Sequence, residues 1–336
     1  MTITVQLNAQ QTQAVLRANR KARGAIVAAA QPKSITARQF VFFAAFDGTS
    51  NTLDNSPPSN IQTTNVAQLW AQYKDRGDAR LGGGYYSGPG APGSLSESSW
   101  LAAQTTAQVN AAAQEAFRKF TEQASEWLLS PANARGAVAV ALTAFSRGGA
   151  SAALFSQMLQ QSGFVHPGTG KKRQVRIAAG VLFDPVTTGV SGNLAFARNV
   201  KNTVVIRAAN EYRALFRFTD YSIQQNAIKT VDMYGNHCDV GGGYDNALAA
   251  LTLEAATGFL RRSGLPIGAV PASRRFDAGK PLLVHDEGFE GQNPVWTEDY
   301  SNNSLPPVSY FSLKTSGPGT RVKDDTVLVD PAALPA

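Results

Sequence analysis

Ala137-Val138-Ala139-Val140-Ala141-Leu142 is an apolar run that passes through Thr143 into Ala144-Phe145-Ser146-Arg147-Gly148-Gly149. Small residues follow, among them Ala150, Ala152 and Ala153. A run of this length ending at a turn reads as a buried strand, and the alanine-rich stretch after it reads as a helix. A serine between the two, with a small residue two before and a glycine two after, suits a sharp strand-to-helix turn that lifts the hydroxyl out of a sheet. An ordinary serine helix cap is the competing reading.

Outward from this unit the pattern repeats. Phe40 to Phe46 is a continuous apolar run ending at Asp47-Gly48-Thr49, as expected of a central strand covered on both faces. Val175 to Phe183 is a third strand, ending at Asp184-Pro185, and Thr203 to Arg207 a fourth. Helices are expected over Val66–Tyr73, Leu101–Leu129 and Asn246–Arg262, and loops over 50–63 and 81–98, where Gly82-Gly83-Gly84 and Gly88-Pro89-Gly90 fall. Strands alternating with helices predict an α/β protein with a mostly parallel central sheet and helices on both faces. Residues 1–37 are expected as an N-terminal appendage or arm. Residues 38–336 form the main domain, with a core over about 40–265 and a loop-rich addition over 266–336.

Composition narrows the class. Of 336 residues, 43% are hydrophobic and 16% charged, too apolar for a disordered chain. No window approaches the ~20 apolar residues of a spanning helix. The net charge of +7 comes from scattered basic residues, and no nucleic-acid-binding signature is present. Arg17, Arg20, Lys21 and Arg23 precede Gly24 to Ala30 and mimic a signal peptide, but the apolar run is short and lacks leucine. If the protein leaves its cell, a route without a cleaved signal is therefore expected. Cys238 is the only cysteine, and neither His-x-x-x-His nor Cys-x-x-Cys occurs, so no metal or cofactor is expected. Asp239 and Asp245 with loop carbonyls leave calcium as the one open metal reading.

A serine nucleophile needs a base, and the base an orienting acid. The three histidines are His166, in an apparent surface turn, His237, in a glycine-heavy loop between a strand and a helix, and His285, after the apolar Leu282-Leu283-Val284. His237 stands where a doubly wound hydrolase delivers its base; His285 is the alternative. Asp184, at the carboxyl end of a strand, points into the crevice of a parallel sheet. The order Ser146, Asp184, His237 is that of an α/β-hydrolase. The backbone N–H of Arg147, at a helix start, and that of Gly48 or Thr49 are candidate oxyanion donors. A plain turn in which Asp47 binds local amides is the competing reading for Asp47-Gly48-Thr49.

These blocks together resemble the α/β-hydrolase domain of bacterial type VI secretion lipase effectors, the Tle phospholipases, and their relatives. The matching segments are Phe46-Asp47-Gly48-Thr49-Ser50-Asn51, Thr64-Asn65-Val66, Tyr85-Tyr86-Ser87-Gly88-Pro89-Gly90, the Ser146 elbow, Gly180 to Val186, Glu211 with Arg213 and Phe216, and His237 to Tyr244. The departures are Ala144 for glycine, Gly149 for alanine, and Phe183-Asp184-Pro185 for Trp-Asp-Thr. The resemblance implies Ser146 as nucleophile, Asp184 as acid and His237 as base. It also implies a phospholipase A-type antibacterial toxin that cleaves membrane glycerophospholipids, acting in the periplasm of a rival cell or on its membrane. The implied partners are an immunity protein and a secretion-spike protein. A soluble carboxylesterase or thioesterase, and a non-catalytic scaffold, are the alternatives. Trp100 in the 85–100 loop, and Phe289, Trp296, Tyr300, Tyr310 and Phe311, are candidate apolar residues at the mouth.

Overall fold

The computed structural model describes residues 3–53, 63–74, 76–91, 102–211, 216, 218–223, 226–244, 246–286, 295–297 and 312–314. In chain order the elements are β1 (Ile3–Gln6), α1 (Ala9–Ala29), β2 (Gln39–Phe46), α2 (Asn65–Lys74), β3 (Leu81–Tyr86), α3 (Ala102–Leu129), β4 (Ala137–Phe145), α4 (Gly148–Ser162), β5 (Phe164–Val165), β6 (Lys172–Arg173), β7 (Ile177–Phe183), β8 (Thr203–Ala208), β9 (Ile228–Met233), α5 (His237–Gly241), α6 (Ala247–Arg262), β10 (Leu283–Asp286), β11 (Val295–Thr297) and β12 (Ser312–Lys314). Among the described residues, six strands form one parallel sheet in the order β3-β2-β4-β7-β8-β9, and three two-stranded antiparallel ribbons pair β1 with β10, β5 with β6, and β11 with β12.

The unbroken apolar run of β2 is explained by burial on both faces. Val41, Phe43 and Ala45 join one core with residues of α1, α2 and α6, while Phe40, Phe42, Ala44 and Phe46 join a second core with residues of α3 and α4. A strand between two cores has no solvent side on which to place a polar residue. Parallel pairing brings the carboxyl ends of β2, β4, β7, β8 and β9 to the same end of the sheet, followed by Asp47, Ser146, Asp184 and, just beyond β9, His237.

One expectation is corrected. Residues 81–86, expected in a loop, form the edge strand β3. Glycine has little strand propensity of its own, and here tertiary pairing with β2 decides. A side chain at Gly83 would stand 2.4 Å from Phe43 O and 2.9 Å from the Trp70 ring, so the strand fits only without one. The outward edge of Gly83 is met by Gln123 of α3, whose Oε1 accepts the Gly83 N–H (2.8 Å) and whose Nε2 donates to Gly83 O (3.4 Å). In the N-terminal segment, expected as an appendage or arm, α1 lies along α6 and β9, with Val15 and Ile26 fully buried. Asn19 fixes it further: its Oδ1 accepts the Tyr234 N–H (2.8 Å) and its Nδ2 donates to Tyr234 O (3.2 Å).

Candidate active site

β4 ends at Phe145, and Ser146 turns the chain with φ at +53° before α4 starts at Gly148. A non-glycine residue in this left-handed region costs about 1–3 kcal/mol, so surrounding structure must hold it there. The Ser146 N–H donates to Phe183 O (3.1 Å), and its carbonyl accepts from the Gly149 N–H (2.9 Å) and the Val186 N–H (3.2 Å). A side chain at Gly148 would lie 2.4 Å from Phe46 O and 2.6 Å from Asp47 O, so the elbow rests directly on the end of β2. The helix-cap reading of the serine fails, because Arg147 occupies the cap position and α4 has no side-chain cap. The departure at Gly149 also has a local reason: a methyl there would meet Pro185 Cβ at 2.8 Å, so two of the unusual residues touch one another.

Asp184 follows β7 with φ at +33° and is fully buried. Its N–H donates to Ile206 O (2.8 Å), its Oδ1 accepts the Ala208 N–H (3.0 Å), and its Oδ2 lies 2.8 Å from His237 Nδ1. A carboxylate accepts, so the hydrogen-bond network assigns the proton to Nδ1 and leaves a lone pair on Nε2. His237 opens α5, whose capping residue Asn236 accepts the Asp239 N–H. The His237 N–H donates to Glu211 Oε2 (3.2 Å), and its ring lies 4.5 Å from the Phe145 ring and 4.9 Å from that of Phe216. Phe145 thus joins His237 to the elbow, being the residue before Ser146. Asn65 secures the same region by donating from Nδ2 to Val240 O, Ala249 O and Thr252 Oγ1.

The Asp47 turn is a mixed outcome. The Gly48 N–H donates to Asp47 Oδ1 (2.7 Å), which takes Gly48 out of the candidate oxyanion donors; Thr49 and Arg147 remain. Asp47 Oδ2 accepts from Thr64 Oγ1 (2.6 Å) and Tyr85 Oη (2.5 Å). Burial pushes the Asp47 carboxyl up from 3.8 to about 6, against the lowering effect of these hydrogen bonds. The folded state therefore holds this proton more tightly than the unfolded chain. Its contribution to stability is complete below about pH 4 and lost as pH rises through about 6, and the shift corresponds to about 3 kcal/mol. Asp47→Asn is expected to flatten this part of the profile. Urea unfolding at pH 4 and pH 7 checks it: the pH-dependent change in stability should be smaller in the variant by about that amount.

The other histidines have their own partners. His285 Nδ1 lies 2.7 Å from Asp239 Oδ1, its N–H donates to Asp239 Oδ2 (3.0 Å), and its ring stacks on Tyr244 at 3.9 Å. The alternative base thus belongs to a separate pair, on an acid two residues along α5 from His237. Asp239 also accepts from Asn236 N–H and Asn246 Nδ2, so its oxygens serve as acceptors rather than as an open cation site; Asp245 lies outside the described residues. No group of three or more metal-ligating side chains occurs among the described residues. His166, expected in a surface turn, is buried, with Nδ1 accepting the Gly168 N–H (3.1 Å) and Nε2 donating to Ala134 O (2.9 Å).

Arg213, Trp100, Phe289, Tyr300, Tyr310 and Phe311 lie outside the described residues, as does the Trp296 side chain. A groove of about 740 Å³ lined by Phe40, Trp70, Tyr73 and Trp127 lies at the amino ends of β2 and β3, the opposite end of the sheet from Ser146. The anchoring role of Glu211 and the ring contact of Phe145 were not legible in advance. The only sequence signal for Glu211 was its place in a family block.

A parallel sheet with a strained serine after β4, an acid after β7 and a histidine after β9 has the arrangement of an α/β-hydrolase fold. No protein-family model matches the chain, and no curated protein does. Among solved structures it is similar to an uncharacterized protein from Pseudomonas aeruginosa (16% identity over 81% of this chain and 51% of that one, TM-score 0.48). It is also similar to the Tle1 effector bound to the VgrG spike of the type 6 secretion system (20%, 63% and 53%, TM-score 0.43). A carboxylesterase from Lactobacillus plantarum is a third (16%, 68% and 88%, TM-score 0.35). The chain spans about half the length of the first two. These likenesses are remote, and the fold assignment rests on the strand order and the elbow.

Proposed function

We propose that the chain is a serine ester hydrolase of the lipolytic kind, a phospholipase A-type antibacterial effector. The observation that carries the reading is the buried Asp184–His237 pair at the end of the sheet where a serine is held at φ +53°. In the proposed reaction Ser146 Oγ attacks the ester carbonyl and His237 Nε2 takes its proton. Asp184 holds the imidazole in the required tautomer and stabilises the imidazolium. The backbone N–H groups of Arg147 and Thr49 bind the oxyanion. His237 returns the proton to the leaving alcohol, and water attacks the acyl-enzyme by the same route in reverse.

Glycerophospholipid as substrate, action on a target-cell membrane, release without a cleaved signal, an immunity protein and a spike partner all follow from the family resemblance. The Tle1 structure, with its bound spike, is the neighbour that supports the spike. The test is fatty-acid release from phosphatidylglycerol and phosphatidylethanolamine vesicles, beside hydrolysis of a short nitrophenyl ester. Release from vesicles is the expected result. Hydrolysis of the short ester alone would sink the membrane reading and leave a soluble esterase. Inertness toward both esters and toward a fluorophosphonate would sink the enzyme reading and leave a scaffold.

A further inference from the structure

The turn after β2 stands beside the elbow. Phe46 pairs with Ala144 in parallel register, so the turn after β2 leaves the sheet at the same end as the elbow after β4. The contact that a side chain at Gly48 would make with Phe145 Cδ1, at 2.6 Å, fits the same placement. The turn is fixed before any ligand binds. The Asn51 N–H donates to Gly48 O (3.0 Å), the Ser50 N–H to Pro89 O (2.9 Å), and Asn51 Nδ2 to Thr49 O (3.1 Å). Within it the Gly48 N–H is already taken by Asp47. Among the described residues Thr49 Oγ1 is buried and has no hydrogen-bond partner. A buried hydroxyl without a partner is costly in the free protein, and a ligand oxygen would remove that cost.

We infer that the Thr49 hydroxyl is a catalytic oxyanion donor, acting with the backbone N–H groups on the carbonyl oxygen of the substrate. The inference rests on the ester-hydrolase reading of Ser146. As the bond from Ser146 Oγ to the carbonyl carbon forms, the π pair moves onto oxygen and the serine proton passes to His237 Nε2. Thr49 keeps its own proton and donates a hydrogen bond that strengthens as the oxygen becomes anionic.

Thr49→Val keeps the shape and removes the donor; Thr49→Ser keeps the donor. On a short nitrophenyl ester, kcat in Thr49→Val is expected to fall on the order of 10²-fold with KM within about twofold of wild type. Thr49→Ser should stay within about threefold. Inhibition by an alkyl boronic acid, which forms a tetrahedral adduct on a serine, should weaken by a factor similar to the loss in kcat. Thermal midpoints identify a variant that fails to fold, in which case Thr49→Ala carries the same prediction. An active wild type with an equally active Thr49→Val, or a variant changed only in KM, would overturn the inference and leave the hydrolase reading intact. A wild type inert to ester and fluorophosphonate would overturn both.

Discussion

Ser146→Ala is expected to lower kcat/KM for a short nitrophenyl ester by about 10⁴–10⁶, by analogy with knockouts of serine nucleophiles elsewhere. The size of the effect comes from the elbow. Three backbone hydrogen bonds hold Ser146 at φ +53°, and its hydroxyl stands where β4 meets α4. Alanine suffers the same backbone strain and keeps the same hydrogen bonds, so the fold should survive while the proposed nucleophile is gone. Urea midpoints near that of wild type, loss of turnover and loss of the fluorophosphonate adduct by mass spectrometry form the expected set. Full activity in a folded Ser146→Ala protein would place the nucleophile elsewhere.

Asp184→Asn is expected to cost about 10³–10⁴ in kcat, with KM little changed. Asp184 uses both oxygens as acceptors, one for the Ala208 N–H and one for His237 Nδ1. Asparagine has one oxygen. If it faces His237, the amide NH₂ meets the Ala208 N–H, two donors in contact. If it faces Ala208, the NH₂ meets His237 and forces the ring into the tautomer with its proton on Nε2, which cannot take a proton from Ser146. Either orientation also removes the negative charge that stabilises the imidazolium. Steady-state kinetics of the variant beside a melting curve check this. Activity within tenfold of wild type would show that another group orients the base.

What was legible in the sequence was local. The elbow needs only a strand, a small residue, a serine, a glycine and a helix in succession, and β4, Ser146 and α4 follow within a dozen residues of one another. The choice of Asp184 and His237 was legible as an order of residues. Their hydrogen bond joins positions 53 apart and exists only because β7, β8 and β9 lie side by side. β3 was hidden because its glycines describe a loop until β2 supplies the pairing. The loss of the Gly48 donor was hidden too, since its cause is a side chain folding back on the next peptide, which leaves no pattern in the letters. His166 looked like turn chemistry among glycines and a proline, but both its ring nitrogens are bonded within the protein.

The amide of Gln123 has a consequence for how this chain folds. It closes the outer edge of Gly83 from 40 residues further along the chain. Until α3 docks, β3 presents an open glycine strand able to add a foreign strand and seed aggregation. Once docked, that position no longer invites extension of the sheet. Anything that delays the docking of α3 lengthens that exposure without altering the finished protein.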